Sequence, residues 1–234
     1  MLLEDLYRRL SYGELNNLSL AGDGSGTIVD EARPRIVMYA NEALVRLYST
    51  FILRTNSVTI TPMDHVTQYH LQKRFAFSQR DVTDEDFIYI QDLDDEPFEE
   101  DVLKVLEVFD GAGAPVPLND AEQPLSVFTP QAKTLQVPTA WNGQVLSLLY
   151  QASHPKLGHT GSHSIIDLPD VLHGALTAFI AHKVYSHMNT VESTNKSSEH
   201  MGVFSAICED VVDKDLVATS ILQSNSRFHK RGWI

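Results

Sequence analysis

The hydrophobic period of this chain changes twice, and those changes limit the folds open to it more than any single motif does. Residues 34–51 read as an amphipathic helix. Ile36, Ala40, Ala43, Leu44, Leu47 and Phe51 fall on one stripe, and Pro34 suits a first helical turn. From about Ser57 the period becomes two. "SVTIT" alternates and is rich in β-branched residues, and "HVTQYHL", "FIYIQDL", "PLSVFTP", "TLQVP" and "QVLSLLYQA" continue the strand pattern between Pro and Gly breaks. "DVLKVLEVFDGAG" suits either a short helix or a strand buried on both faces. After "GHTGSHS" the helical period returns. Leu172, Leu176, Phe179, Ile180, Val184 and Met188 share a face near 170–188, with Asp167 or Asp170 as a cap. "NTVESTNKSS" reads as a polar turn, and a further helix near 195–212 buries Phe204, Ile207, Cys208 and Val211. At the start of the sequence, Leu3, Leu6, Tyr7 and Leu10 also lie on one helical face.

Helices with one dry face need a partner, and the outer helices have only each other. The expected fold is therefore α+β. N-terminal helices and a C-terminal helical hairpin form a bundle from 1–56 and 167–223. A β-rich insertion occupies 57–166, and an extended C-terminal tail covers 224–234.

Composition narrows function mainly by exclusion. No run of about 18 apolar residues predicts a membrane span. The first residues, "MLLEDLYRRLSYGEL", are charged, which argues against an export signal. The single cysteine, Cys208, reads as a small buried apolar residue and fits a reducing compartment. The formal net charge of −13 argues against a nucleic-acid grip, which needs clustered Lys and Arg. It leaves open a surface past which DNA slides.

Three constellations have chemical content. Seven of the ten histidines lie between 154 and 200. His173 and His182, and His182 and His187, are out of phase for one helix face. His159 and His163 have ligand spacing but sit among glycines. Packed or surface histidines and a metal site both stand open, and the expectation is no metal, no cofactor and no catalytic residue. The second constellation is residues 81–101, which hold eleven of the thirty-one acidic residues, among them Asp84, Glu85, Asp86, Asp92, Asp94, Asp95 and Glu96. A calcium loop counted from Asp92 fails, because Pro97 and Leu103 stand where Gly and Glu are needed. A solvated face, a docking patch for a basic partner and a lining for a DNA passage are the alternatives. No phosphate loop or nucleophile elbow is present.

The third is the closing segment, "SNSRFHKRGWI", which is cationic and aromatic on an acidic chain. Asn225, Arg227, Phe228, His229, Lys230, Arg231, Trp233 and Ile234 read either as a frayed end or as a peptide that orders itself in an acidic groove with an apolar slot. Large aromatics are scarce in disordered segments, and Trp and Arg dominate interface hot spots.

Three stretches resemble the head-to-tail adaptor (connector) proteins of tailed, particularly short-tailed, bacteriophages. They are "DLYRRLSYGELNNLSL" with "YANEALVRLYSTFILRTNSVTI", "LNDAEQPLSVFTPQAKTLQVP" with "LLYQASHPKL", and "IDLPDVLHGALTAFIAHKVYSHMN" with "NSRFHKRGWI". The resemblance implies a virion structural protein rather than an enzyme. It would form a homo-oligomeric ring, a dodecamer, between the phage portal protein and tail or nozzle proteins. DNA would pass through the channel without specific binding, and no membrane is involved. By the same resemblance, Asn225–Ile234 would dock on the portal and the acidic run would face the channel or the tail. A nozzle or tail-completion subunit and a metal-dependent enzyme are the alternatives.

Overall fold

The computed structural model describes residues 1–16, 18, 28–79, 87–158 and 164–218. Asp84, Glu85, Asp86, His159, His163 and the closing segment from Asn225 to Ile234 lie outside the described residues. The structure is mixed α+β, with four α-helices and two antiparallel sheets among the described residues. Two compact units emerge. One is made of Met1–Leu53 and His154–Ile234, the other of Arg54–Ser153. Residues 154–158 and 164–166, expected within the β-rich insertion, therefore group with the helices.

In the helical unit, α1 spans Leu3–Tyr12, α2 Arg33–Thr50, α3 His173–Ser186 and α4 Val191–Asp213. The faces expected on α1 and α2 are buried: Leu3, Leu6, Tyr7 and Leu10 on one, Ile36, Ala40, Ala43, Leu44 and Leu47 on the other, with Phe51 just after it. Pro34 stands in the first turn of α2, behind the 3₁₀ turn Asp30–Ala32.

The third helix departs from expectation. One dry face was expected, but Ala175, Leu176, Thr177, Ala178, Phe179, Ile180, Ala181, Val184 and Tyr185 are all buried. The reason is position: α3 contacts α1, α2 and α4, so it has almost no wet side. Met188 lies beyond the end of α3 and is exposed. Neither expected aspartate caps α3. Its N-cap is Leu172, reached through the 3₁₀ turn Asp170–Leu172.

The expected polar turn at 189–198 is mostly helix. Asn189 takes a left-handed φ of 53° and reverses the chain, and α4 begins at Val191. Thr190 Oγ1 accepts from the Ser193 N–H at 3.1 Å, and Ser193 Oγ accepts from the Thr190 N–H at 3.1 Å. This reciprocal cap lets a polar sequence start a helix. The partners of α3 and α4 run in opposite order. His182 meets Ser197, Phe179 packs on Phe204 with ring centroids 5.4 Å apart, and Gly174 faces Ile207. Phe204 and Val211 are buried, while Ile207 and Cys208 are half-buried.

In the β-rich unit, β1 covers Thr55–Ile60, β2 Gln68–His70, β3 Ile90–Gln91, β4 Val102–Asp110, β5 Pro115–Val116, β6 Phe128–Gln131, β7 Thr134–Gln136 and β8 Leu146–Ala152. One sheet has the order β3-β1-β8-β4-β5 and the other β2-β7-β6. Tyrosines tie the sheets together. Tyr89 OH donates to the His70 carbonyl at 2.7 Å and accepts the His70 N–H at 2.9 Å, and its ring stands edge-on to Tyr69 at 5.0 Å. Burial raises the phenol pKa of both Tyr69 and Tyr89, so both stay neutral hydrogen-bonding groups.

The ambiguous stretch at 102–110 is strand β4, though it is not simply buried on both faces. Val102, Val105 and Val108 are buried, and Leu103, Leu106 and Phe109 are half-buried. Burial at every third residue is foreign to a regular strand. Its cause is two register shifts against β8, one between Val102 and Lys104 and one between Val105 and Glu107. Each inserts an extra residue and returns the next valine to the core side.

Candidate docking groove

The β-rich unit contains a groove of about 1000 Å³. It is built from segments far apart in sequence: Arg54 and the outer part of β1, Phe77, residues 91–93, residues 96–99, and Tyr150 of β8. Phe98 and Tyr150 are buried, while Phe77 and Leu93 remain 38% and 63% exposed. Leu93 and Phe77 thus present apolar surface beside carboxylates at Asp92, Glu96 and Glu99.

The carboxylates have different duties. Asp92 is a structural hub. Its side chain accepts the Ser78 N–H at 2.8 Å, the Ser78 hydroxyl at 2.5 Å and the Phe98 N–H at 2.8 Å. Burial opposes the charge, but the Phe98 and Ser78 hydrogen bonds outweigh it and hold the carboxyl below the usual aspartate range. These bonds also explain why "FIYIQDL" yields a two-residue strand: Asp92 folds its side chain back onto Ser78, and the chain turns away. Glu99 pairs with Lys73 at 2.8 Å. Asp94, Asp95 and Glu96 are exposed.

A stability prediction separates these roles. Asp92→Ala strands two backbone N–H groups and is expected to cost about 2–4 kcal/mol, as loss of a charged acceptor does. Asp94→Ala and Asp95→Ala should stay within about 0.5 kcal/mol of the parent. Because the folded pKa of Asp92 is depressed, its contribution is present above the unfolded value of about 4 and is lost as pH falls through the folded value. Urea midpoints measured from pH 7 down to pH 3 should show an acid limb that is shallower in Asp92→Asn.

Behind the groove, Asp101 accepts from Tyr150 OH at 2.9 Å and from Asn56 Nδ2 at 3.2 Å, and Arg54 lies 3.9 Å away. Burial first, then the Asp101 charge, raises the Tyr150 pKa far above its ordinary value. Glu100, with a left-handed φ of 55°, swings the chain from the acidic run into β4 and so aims Asp101 inward.

In the helical unit, a second cavity of about 520 Å³ is lined by Met1, Asp5, Arg8, Arg9, Tyr12, Asp170 and His173. His173 is buried; its Nε2 meets the Leu168 carbonyl at 3.1 Å and its Nδ1 lies 3.4 Å from Asp170. Burial and then the Arg9 charge lower its pKa, against the pull of Asp170, so the ring is neutral near pH 7. His154 is also buried. Its Nε2 accepts the Asp167 N–H at 3.1 Å, and its ring stands edge-on to Tyr48, whose hydroxyl donates to the Asp167 carbonyl. His182 and Ser197 join α3 to α4. These histidines hold loops and helices together. Among the described residues no group of three His, Cys, Asp or Glu is placed to hold a metal ion, and no helix is long and apolar enough to cross a membrane.

Of the predicted acidic patch, the structure brings Asp92 and Glu96 to the groove and leaves Asp94 and Asp95 outside its lining. Sequence reasoning missed the aromatic and β1 residues of the groove. The one local signal was "EPFEED", an aromatic set between carboxylates. No protein-family model matches the chain, and no curated protein matches it in sequence.

Proposed function

We propose that this protein is a virion structural component, a head-to-tail adaptor whose copies form a ring between the portal and the tail of a bacteriophage and extend the DNA channel. The observation that carries the reading is the opposition between an acidic chain, with a formal net charge of −13, and a closing segment bearing Arg227, Lys230 and Arg231 beside Phe228 and Trp233. An acidic wall repels phosphates and lets DNA slide, while a cationic aromatic peptide anchors the subunit elsewhere. In this reading α1 and α2, with α3 and α4 as a hairpin, are the ring-forming bundle. Met38 and Val45 on α2, and Val203 and Val212 on α4, are exposed apolar residues suited to cover by a neighbouring copy. The ring is a dodecamer by resemblance to the adaptor family, and residues 225–234 dock on the portal.

Electron microscopy of the purified protein mixed with portal rings of the same virus tests this. The full chain should add a second ring to the portal. A chain ending at Ser224 should keep its helical circular dichroism and add none. Trp233→Ala should reduce occupancy sharply, because loss of a hot-spot aromatic costs about 2–4 kcal/mol and the loss is multiplied by avidity around a ring. Absence of any second ring with the full chain would overturn the adaptor reading.

A further inference from the structure

The groove has a second property that its charge alone does not reveal. In β1, every residue from Thr55 to Ile60 pairs with β8, but on the opposite side β3 pairs only with Thr59 and Ile60. Among the described residues, the first part of β1 is therefore an edge. Asn56, Ser57 and Val58 on that edge line the groove, together with Leu93, Glu96 and Phe98. An open strand edge beside an apolar and acidic trough fits an extended peptide, which adds main-chain pairing to side-chain pockets. The peptide must carry a cation for the exposed Glu96 and a second that competes with Lys73 for Glu99, and an aromatic side chain for the surface of Phe77 and Leu93; the groove's own cation, Arg54, lies 3.9 Å from Asp101.

One segment of this chain has that chemistry. In an extended conformation, Arg227, His229, Arg231 and Trp233 alternate onto one side, with Phe228 and Lys230 on the other. We propose that the groove receives residues 225–234 of a second copy of this chain as an added strand along β1. Arg227 and Arg231 meet Glu96 and Glu99, and Trp233 covers the Phe77–Leu93 surface. The inference does not rest on the adaptor reading. It needs no portal, and a tail held this way is unavailable to any other partner.

Sedimentation velocity of the full chain over a concentration series tests it. The parent should self-associate at low salt and do so more weakly as salt rises, because the pairing charges are exposed and screened. Two charge-reversed proteins decide the matter: Glu96→Lys with Glu99→Lys, and Arg227→Glu with Arg231→Glu. Asp92 is left intact in both, and circular dichroism melting confirms that each is folded. Each alone should lose the salt-sensitive association of the parent, since groove and segment then carry like charges. Mixed in equal amounts they should associate, because the normal segment of the first meets the normal groove of the second, and the two reversed elements also match. Trp233→Ala should weaken the parent association at least about tenfold. A parent that stays monomeric at every concentration, reversed proteins that each associate as strongly as the parent and with the same salt dependence, or a mixture that associates no more than its components would each overturn the proposal. A positive result would mean that portal docking by the same segment first requires its release from the groove, and a negative one leaves portal docking as it stands; portal docking itself is read by microscopy.

Discussion

Val105→Asp is expected to unfold the β-rich unit, whereas Leu106→Asp, one residue along, should leave it folded. Val105 is 3% exposed, pairs with Tyr150 and belongs to the same core as Val58, Ile60, Leu146 and Leu148. A carboxylate there must be buried without a partner or take up a proton, and either course costs several kcal/mol. Domains are stable by only about 5–15 kcal/mol, so the loss takes a large share of the total. Leu106 is half-buried, and an aspartate there can reach water. In a regular strand with two buried faces the two substitutions would be comparably harmful. The difference tests the register shifts in β4. Two units need not melt together, so the β-rich unit should be followed by itself. Trp141 is buried within it, and its fluorescence in a Trp233→Phe background reports that unit alone.

The helix faces at 3–10 and 36–51 were legible in the sequence because an apolar stripe at a period near 3.6 survives in the fold when one side of a helix meets the core. The same reasoning failed for α3, where contact with three helices buries what a single face would leave wet. It failed again at 189–198, where polar composition was read as a turn although Thr190 and Ser193 form a cap. Strand periodicity was legible in β1 and β8, which pair without a break over six residues of β1. In β4 it was hidden, because two extra residues shift which side chains face inward.

The groove was the least legible feature. Its parts lie at 54, 56–59, 77, 91–93, 96–99 and 150, and pairing of β1 with β8 and the Ser78–Asp92 bonds bring them together. No local pattern announces such a convergence. Asp92 shows the limit most clearly. It stands in an acidic run and was read as one surface charge among many, yet its partners Ser78 and Phe98 make it a structural centre. Its neighbours Asp94 and Asp95, identical in type, have no such role, and only the geometry separates them.

Asp101→Ala is expected to cost the β-rich unit about 3–5 kcal/mol and to deform the groove. The Asp101 side chain is only 9% exposed, and the Arg54 guanidinium lies 3.9 Å from it. Removing one member of a buried charged group leaves the others desolvated and unpaired, a loss of about that size. Here the orphans would be the Tyr150 hydroxyl, which is 2.9 Å from Asp101, and the Asn56 amide at 3.2 Å. Tyr150, Asn56 and Arg54 all line the groove, so the buried aspartate also sets its shape. Asp101→Asn keeps an acceptor for the tyrosine and should lose less than half as much. Tyr150→Phe removes a donor and leaves Asp101 with Asn56 and Arg54, so it should cost about 1–3 kcal/mol. If the three groups act as one network, Asp101→Ala combined with Tyr150→Phe should cost clearly less than the sum of the single changes, since the second removes a group the first has already orphaned. Denaturant midpoints of the four proteins, read through Trp141, measure that coupling. Additive losses would mean that Asp101 and Tyr150 act on the groove independently.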